Sequence, residues 1–276
     1  MTVMLPIRAE PTGPTTAGRL VAVASGKGGV GKTWLSITLA QAMAQRGRRV
    51  LLVDADLGLA NVDIQLGLTP RRDLAAVIAG RATLEQIVIR YTPENDSGAF
   101  DVLPGRSGAA SLATLDLALL DRMLTAVRRL PGYDTVLLDL GAGIDPAMRF
   151  MAASADTLLV ITTDEPTALT DAYAVLKLYA RDRGAGDADA RVVVNQASSQ
   201  ASGRRTHATL ARACETFLNN RPPLAGLIRR DPRVPDALRK QMPLLVRHPH
   251  CTAAEDIGRL ATTLAGRPCQ RPTTSA

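Results

Sequence analysis

Eight residues constrain this chain more than any others: Gly26-Lys27-Gly28-Gly29-Val30-Gly31-Lys32-Thr33. They follow the apolar run Leu20–Ala24 and open a helix-type run from Trp34 to Gln45. Strand, glycine loop and helix, in that order, are the context in which G-x-x-x-x-G-K-[ST] becomes a phosphate site. The glycines let successive backbone N–H groups curl towards one point, where they can bind phosphate oxygens. A helix starting near Lys32 adds the positive end of its dipole. Lys32 is placed to reach the outer phosphates and the Thr33 hydroxyl to ligate Mg²⁺. Gly26, Gly28, Gly29, Val30 and Gly31 form the cradle, with Trp34 directly behind it. An ordinary turn between strand and helix would not require every fixed position of the pattern.

At 276 residues the chain is long enough for one large α/β domain with a sizeable core. Aromatics make up only 3%, so that core must be built from Leu, Val, Ile and Ala. No run is long enough to span a bilayer. Met1–Gly18 carries Pro6, Pro11 and Pro14, lacks the apolar core of a signal peptide, and is expected to be a flexible lead-in. Cys214, Cys251 and Cys269 are far apart and odd in number, which argues against a disulfide framework and for the cytoplasm. His248-Pro249-His250-Cys251 reads as a polar loop, because adjacent ligands without a second pair rarely close a metal site. The net charge is +7, yet the arginines are scattered in pairs at most, such as Arg71-Arg72 and Arg204-Arg205. That distribution fits a solvated surface, and no specific nucleic acid is expected as a partner.

Apolar β-type runs alternate with helical ones from Leu20 to Ala265. Expected strands are Leu20–Ala24, Arg49–Val53, Phe100–Leu103, Tyr133–Leu140, Thr157–Thr162, Ala190–Val194 and Leu224–Ile228. Expected helices include Leu74–Gly80, Leu84–Ile89, Leu115–Leu130, Pro146–Ala155, Thr167–Arg183 with a cap near Thr167, Ser202–Leu218, Val234–Gln241 and Thr252–Ala265. Tyr91–Ala99 is expected to be a loop. The pattern predicts an α/β fold, a doubly wound and mostly parallel sheet with helices on both faces. One domain over residues 19–267 is the simplest division, followed by a flexible tail over 268–276.

The strand ends carry the chemistry. Asp139, on the apolar run Val136–Leu138, is the natural carboxylate for Mg²⁺ beside a phosphate loop. Asp54 and Asp56 end another strand, and spacing alone makes either a candidate for orienting the attacking water. They are expected on opposite sides of the strand, or with one capping the following loop. Asn195 ends a further strand with an amide that offers both donor and acceptor.

Lys27-Gly28-Gly29-Val30-Gly31-Lys32-Thr33 resembles the deviant Walker A motif of the MinD/ParA ATPases, P-loop NTPases of the MinD type. The resemblance implies ATP or ADP with Mg²⁺, slow partner-stimulated hydrolysis of ATP, and a homodimer closed around two nucleotides. It also implies that Lys27 reaches across to the phosphates of the other subunit. The stretch from Asp54 to Asp63 resembles switch I of the MinD branch. That likeness assigns Asp56 to the attacking water and the Mg²⁺ shell, and gives Asp54 a supporting role. Gly141-Ala142-Gly143-Ile144 resembles switch II, but Leu140 and Gly141 stand where the family has Ser or Thr and then Pro or Ala. A missing hydroxyl there is expected to remove a contact to metal-bound water or phosphate. Asn195 resembles the family's adenine-reading asparagine. Ile228-Arg229-Arg230-Asp231 lacks the proline usual after the last strand, and Arg229 is expected to stack on the base.

The run Glu165-Pro166-Thr167-Ala168-Leu169-Thr170-Asp171-Ala172-Tyr173-Ala174-Val175-Leu176-Lys177, with Gly58–Asp63, resembles the flagellar-number regulators of the FlhG/FleN branch. The likeness extends from Leu20 to Ala265. It implies an ATP-dependent switch acting with an FlhF-type GTPase, flagellar switch components or a σ54-dependent flagellar activator. Met1–Gly18 does not resemble the branch's Gln-, Ala- and Leu-rich activating segment. Ile257–Ala265 is only weakly amphipathic by sequence, so at most weak peripheral association with the inner membrane is expected. Two other readings stand beside this one. A ParA-like partition ATPase is disfavoured by the absence of Asp-Pro-Gln in switch I. A nucleotide-binding regulator with negligible turnover is motivated by Leu140 and Gly141.

Overall fold

The computed structural model describes residues 17–56, 58–94, 97–105, 116–184 and 189–265. The expected lead-in, apart from its last two residues, and the tail over 268–276 lie outside them.

Eight strands form one sheet: β1 (Arg19–Ser25), β2 (Val50–Ala55), β3 (Ile89–Tyr91), β4 (Phe100–Leu103), β5 (Thr135–Ala142), β6 (Thr157–Thr162), β7 (Ala190–Ala197) and β8 (Leu224–Arg229). Their order is β3-β4-β2-β5-β1-β6-β7-β8, and only β3 runs antiparallel to its neighbour. The helices are α1 (Lys32–Ala44), α2 (Val62–Leu66), α3 (Leu74–Ile78), α4 (Leu84–Ile87), α5 (Leu117–Arg128), α6 (Pro146–Ser154), α7 (Pro166–Arg183), α8 (Gln200–Leu218), α9 (Arg233–Arg239), α10 (Leu244–Arg247) and α11 (Thr252–Ala265).

Central strands are covered on both faces, which is why they read as unbroken apolar runs. Strand alternation divides the core into two layers. Leu20, Ala22, Leu51, Val53, Val136, Leu138 and Leu140 face α5, α6, α7 and α8. Val21, Val23, Leu52, Leu137 and Leu159 face α1 and α11. Strand β1 lies centrally between β5 and β6, and the chain leaves it for β2 on one side and later for β6 on the other. The loop after β1 therefore opens at the switch point of the sheet, where crevices form at the carboxyl ends of strands.

The structure departs from the sequence expectations in six places. Ile89–Tyr91 is a short edge strand rather than the end of a helix and the start of a loop. Helix α2 occupies part of the expected switch loop, and α10 interrupts the proline-containing stretch before α11. Strand β7 runs on through Asn195 to Ala197. Helix α7 begins at Pro166 after Glu165, so Thr167 lies in its first turn and is no cap; a proline at the first helical position lacks only an N–H that would be unsatisfied anyway. Helix α11 is strongly amphipathic, against the weak amphipathicity expected, and its apolar residues Ala253, Ala254, Ile257, Leu260, Ala261 and Leu264 turn into the core. No helix among the described residues is long and apolar enough to cross a membrane.

Candidate nucleotide site

The loop between β1 and α1 takes its shape from glycines at two positions. Gly29 (φ +81°) and Gly31 (φ +87°) are left-handed, a conformation that a Cβ makes costly. Gly26 is required for a different reason: a Cβ there would stand 2.4 Å from the Asp171 carbonyl oxygen on α7.

Lys32 and Thr33 open α1, both buried. Lys32 Nζ lies 3.6 Å from Asp139 Oδ1 on β5, and the Ser36 hydroxyl donates to the same oxygen at 2.8 Å. Asp139 Oδ2 is buried and has no hydrogen-bond partner among the described residues. Buried polar atoms are rarely left so, and an orphaned carboxylate oxygen beside Thr33 suits a hard cation or its hydration shell. Burial pushes the Asp139 carboxyl above the usual range, opposed by the Lys32 charge and by the nearby Thr33 and Ser36 hydroxyls. Thr33, Lys32 and Asp139 thus meet, and the residues present fit Mg²⁺.

Asp54 and Asp56 do not divide between two faces, because residues two apart on a strand share one side. Asp54 pairs in register with Asp139. Its Oδ2 accepts N–H bonds from Asn61 and Val62, both at 2.9 Å, and so pins the base of the segment that precedes α2. Burial, then the Asp139 charge, raise its carboxyl to about 7. Asp56 Oδ1 accepts from Gly58 N at 3.2 Å and Leu59 N at 2.9 Å. A Cβ on Gly141 would stand 3.2 Å from the Asp56 carboxylate, so the glycine makes room for it. Leu140 is fully buried in the layer facing away from Asp139. A hydroxyl at that position would enter the core, which removes the basis for expecting a lost contact there. Gly143 N donates to Ser25 O at 2.9 Å, tying the turn after β5 to the end of β1.

Lys27 lies on the outer side of the loop. Its Nζ donates to Glu165 Oε2 at 2.5 Å and Thr167 Oγ1 at 3.0 Å, at the start of α7. The pair lowers the Glu165 carboxyl, chiefly through the hydrogen bond from Lys27.

A cavity of about 480 Å³ extends from the loop along Trp34, Asn195, Arg229, Val234 and Leu238. Asn195 Nδ2 donates to Val30 O at 2.8 Å and braces the loop from behind. Arg229 borders the cavity, but Asp256 engages its guanidinium in a two-point pair, Nε–Oδ2 at 2.9 Å and Nη2–Oδ1 at 3.0 Å. The same carboxylate accepts the Arg229 backbone N–H at 2.9 Å. Sequence reasoning missed Asp256, although an acid among Ala253, Ala254, Ile257 and Leu260 was a legible sign of a buried, paired charge. It also missed Gln196 and Arg230, which line the cavity. His248 bonds Asp236 and Cys251 is buried, and no group of three or more His, Cys, Asp or Glu able to hold a metal occurs among the described residues.

The model of the CobQ/CobB/MinD/ParA nucleotide binding domain matches residues 21–244. This chain belongs to the MinD/ParA family. It is 40% identical over 238 residues to the antiactivator FleN of Pseudomonas aeruginosa, covering 86% of this chain and 82% of that protein. It is 30% identical over 198 residues to the flagellum site-determining protein YlxH of Helicobacter pylori, covering 71% and 64% respectively. These are relatives of the flagellar branch that Glu165–Lys177 resembles. Among solved structures, the cell division ATPase MinD of Pyrococcus furiosus matches with a TM-score of 0.72 at 25% identity, over 90% of this chain and 98% of that one. The MinD/ParA fold accounts for the sheet order and for the loop at its switch point.

Proposed function

We propose that this protein is a cytoplasmic, ATP-dependent dimerising switch that regulates flagellar number or placement, reset by hydrolysis of ATP to ADP and phosphate. The observation that carries the nucleotide reading is the orphaned, buried Oδ2 of Asp139 beside Lys32 and Thr33 at the head of a glycine loop. Thr33 and Asp139, with Asp56 in the outer shell, would hold Mg²⁺, which supplies charge neutralisation for the phosphate oxygens. Lys32 and the N–H groups of the loop bind phosphate. Asp56, held by Gly58 and Leu59, orients the attacking water. Lys27 leaves Glu165 and Thr167 to reach the phosphates of a second copy. The flagellar part of the reading is supported by the likeness to FleN and YlxH. Its partners are then an FlhF-type GTPase, flagellar switch components or a σ54-dependent activator.

Sedimentation with Mg-ATP and with Mg-ADP tests the switch. A dimer is expected with ATP alone, and Lys27→Ala is expected to remain monomeric; a dimer of that variant refutes the trans role. Phosphate release is expected to fall to background in Asp56→Ala. Normal flagellation in a deletion strain would refute the flagellar assignment.

A further inference from the structure

We propose that Gln196 reads the base of the bound nucleotide; the proposal rests on the nucleotide reading above. Asn195 is buried and its amide makes one bond at each end, both within the protein: Nδ2 donates to Val30 O at 2.8 Å, and Oδ1 accepts the Gln196 N–H at 2.9 Å. A Cβ on Gly31 would stand 2.5 Å from the same Nδ2, so this amide is wedged against the loop backbone. Its geometry is that of a brace.

Gln196 has the opposite character. Its φ of +56° is left-handed, which only two other non-glycine residues among those described share. Those two lie at helix ends, Asn219 as the C-cap of α8 and Gln241 just after α9, where such a conformation closes the helix. Gln196 sits within β7, where nothing local calls for it. Strain of this kind persists where the surroundings enforce it, often at ligand sites. It coincides with a slip in the pairing of β7 and β8 between Val194 and Ala197, and such irregularities re-aim a side chain. Gln196 lines the cavity of about 480 Å³, and its side-chain amide has no hydrogen-bond partner among the described residues. An amide offers a donor beside an acceptor. Adenine offers the complement, an N6 amino group beside N1 or N7, and glutamine is a standard partner for that edge.

The test compares binding of ATP, purine riboside triphosphate (which lacks the 6-amino group) and tripolyphosphate, each with Mg²⁺, by calorimetry. The natural chain is expected to prefer ATP over purine riboside triphosphate by about tenfold, as one good amide–base pair allows. Gln196→Ala is expected to abolish that preference and leave tripolyphosphate binding unchanged. Gln196→Gly is expected to abolish it equally while raising the unfolding temperature, because glycine accepts the left-handed backbone. Asn195→Ala is expected to weaken all three ligands together. Retained preference in both Gln196 variants overturns the proposal, as does an equal loss of all three ligands in Gln196→Ala. Absence of any ATP binding by the natural chain overturns the nucleotide reading and this proposal with it, whereas ATP binding without preference overturns this proposal alone.

Discussion

Removing the Asp256 carboxylate distinguishes a bracing role for Arg229 from a ligand-binding one. The Asp256 side chain is 0% exposed. It accepts from Arg229 Nε, Nη2 and backbone N at 2.9–3.0 Å, from Gln200 Nε2 at 3.4 Å, and from Arg259. Burial is the largest influence and opposes its ionisation, but the bonds from Arg229 and Arg259 with the Arg229 charge together outweigh it and hold the carboxyl below its ordinary range. Asp256→Ala breaks a two-point ion pair and orphans one backbone N–H. Breaking a fully buried pair costs about 3–5 kcal/mol. Arg229 and Arg259 remain 29% and 61% exposed, so their released guanidinium groups recover some solvation, and about 3 kcal/mol is expected. For a domain of this size that lowers Tm by roughly 6–12 °C. Denaturant unfolding of the natural chain, Asp256→Ala, Arg229→Ala and the double variant should give a coupling of about 2 kcal/mol, because the two residues form one charge-assisted unit. A coupling below about 0.5 kcal/mol, the usual additivity error, would refute the brace. So would Arg229→Ala that keeps its stability but loses ATP binding, since the guanidinium would then serve the ligand.

Three further outcomes follow from the geometry. Gly26→Ala should displace the loop from α7, because its Cβ would meet the Asp171 backbone at 2.4 Å; nucleotide binding equal to that of the natural chain would contradict this. Leu140→Ser should cost about 3–5 kcal/mol in denaturant unfolding, as a cavity and a buried hydroxyl add, without raising phosphate release per folded molecule; faster turnover would show that position 140 addresses the site after all. Hydrogen bonds from Arg247 and then His248 hold the Asp236 carboxyl at about 2, below its ordinary 3.8. A depressed carboxyl stabilises the fold above the unfolded value and loses that contribution as pH falls through the folded one. Asp236→Asn should therefore be less stable than the natural chain at pH 5, the gap closing between about pH 4 and pH 2, and a gap independent of pH would refute the pairing.

How much of this was legible follows from where each signal resides. The central strands could be read because burial on both faces leaves an uninterrupted apolar run, as in Val21–Ala24, Leu51–Val53 and Val136–Leu138. Ile89-Arg90-Tyr91 could not, since this half-exposed edge strand exists through backbone pairing to β4 and carries no apolar run. Helix α2 escaped notice because its start depends on a tertiary contact, the Asp54 carboxylate on Asn61 N and Val62 N. In the site, the glycine loop, Asp54, Asp56 and Asp139 were legible from pattern alone, each lying where an apolar strand ends. The contact of Lys27 with Glu165 spans 138 positions and has no local signature. The inverted backbone at Gln196 is equally silent, because its residue type does not announce a left-handed conformation.

The two lysines of the loop are only five positions apart, yet their surroundings suit them to different work. Lys32 is 8% exposed and faces a carboxylate that is 1% exposed. Moving either charge would leave the other unpaired in a medium where that is severely penalised, so Lys32 is a fixed element of the cradle. Lys27 is 38% exposed and Glu165 is 60% exposed. Water screens such a pair, and exposed ion pairs contribute little to stability. A multiply charged phosphate group offered by a second copy could displace Glu165 without disturbing the core. In the proposed dimer, the same loop would hold one cation that stays with its own subunit and one that can be exchanged. The family resemblance named Lys27 as the residue that crosses between subunits, and its exposure supplies a physical reason why that lysine, and not Lys32, is suited to the task.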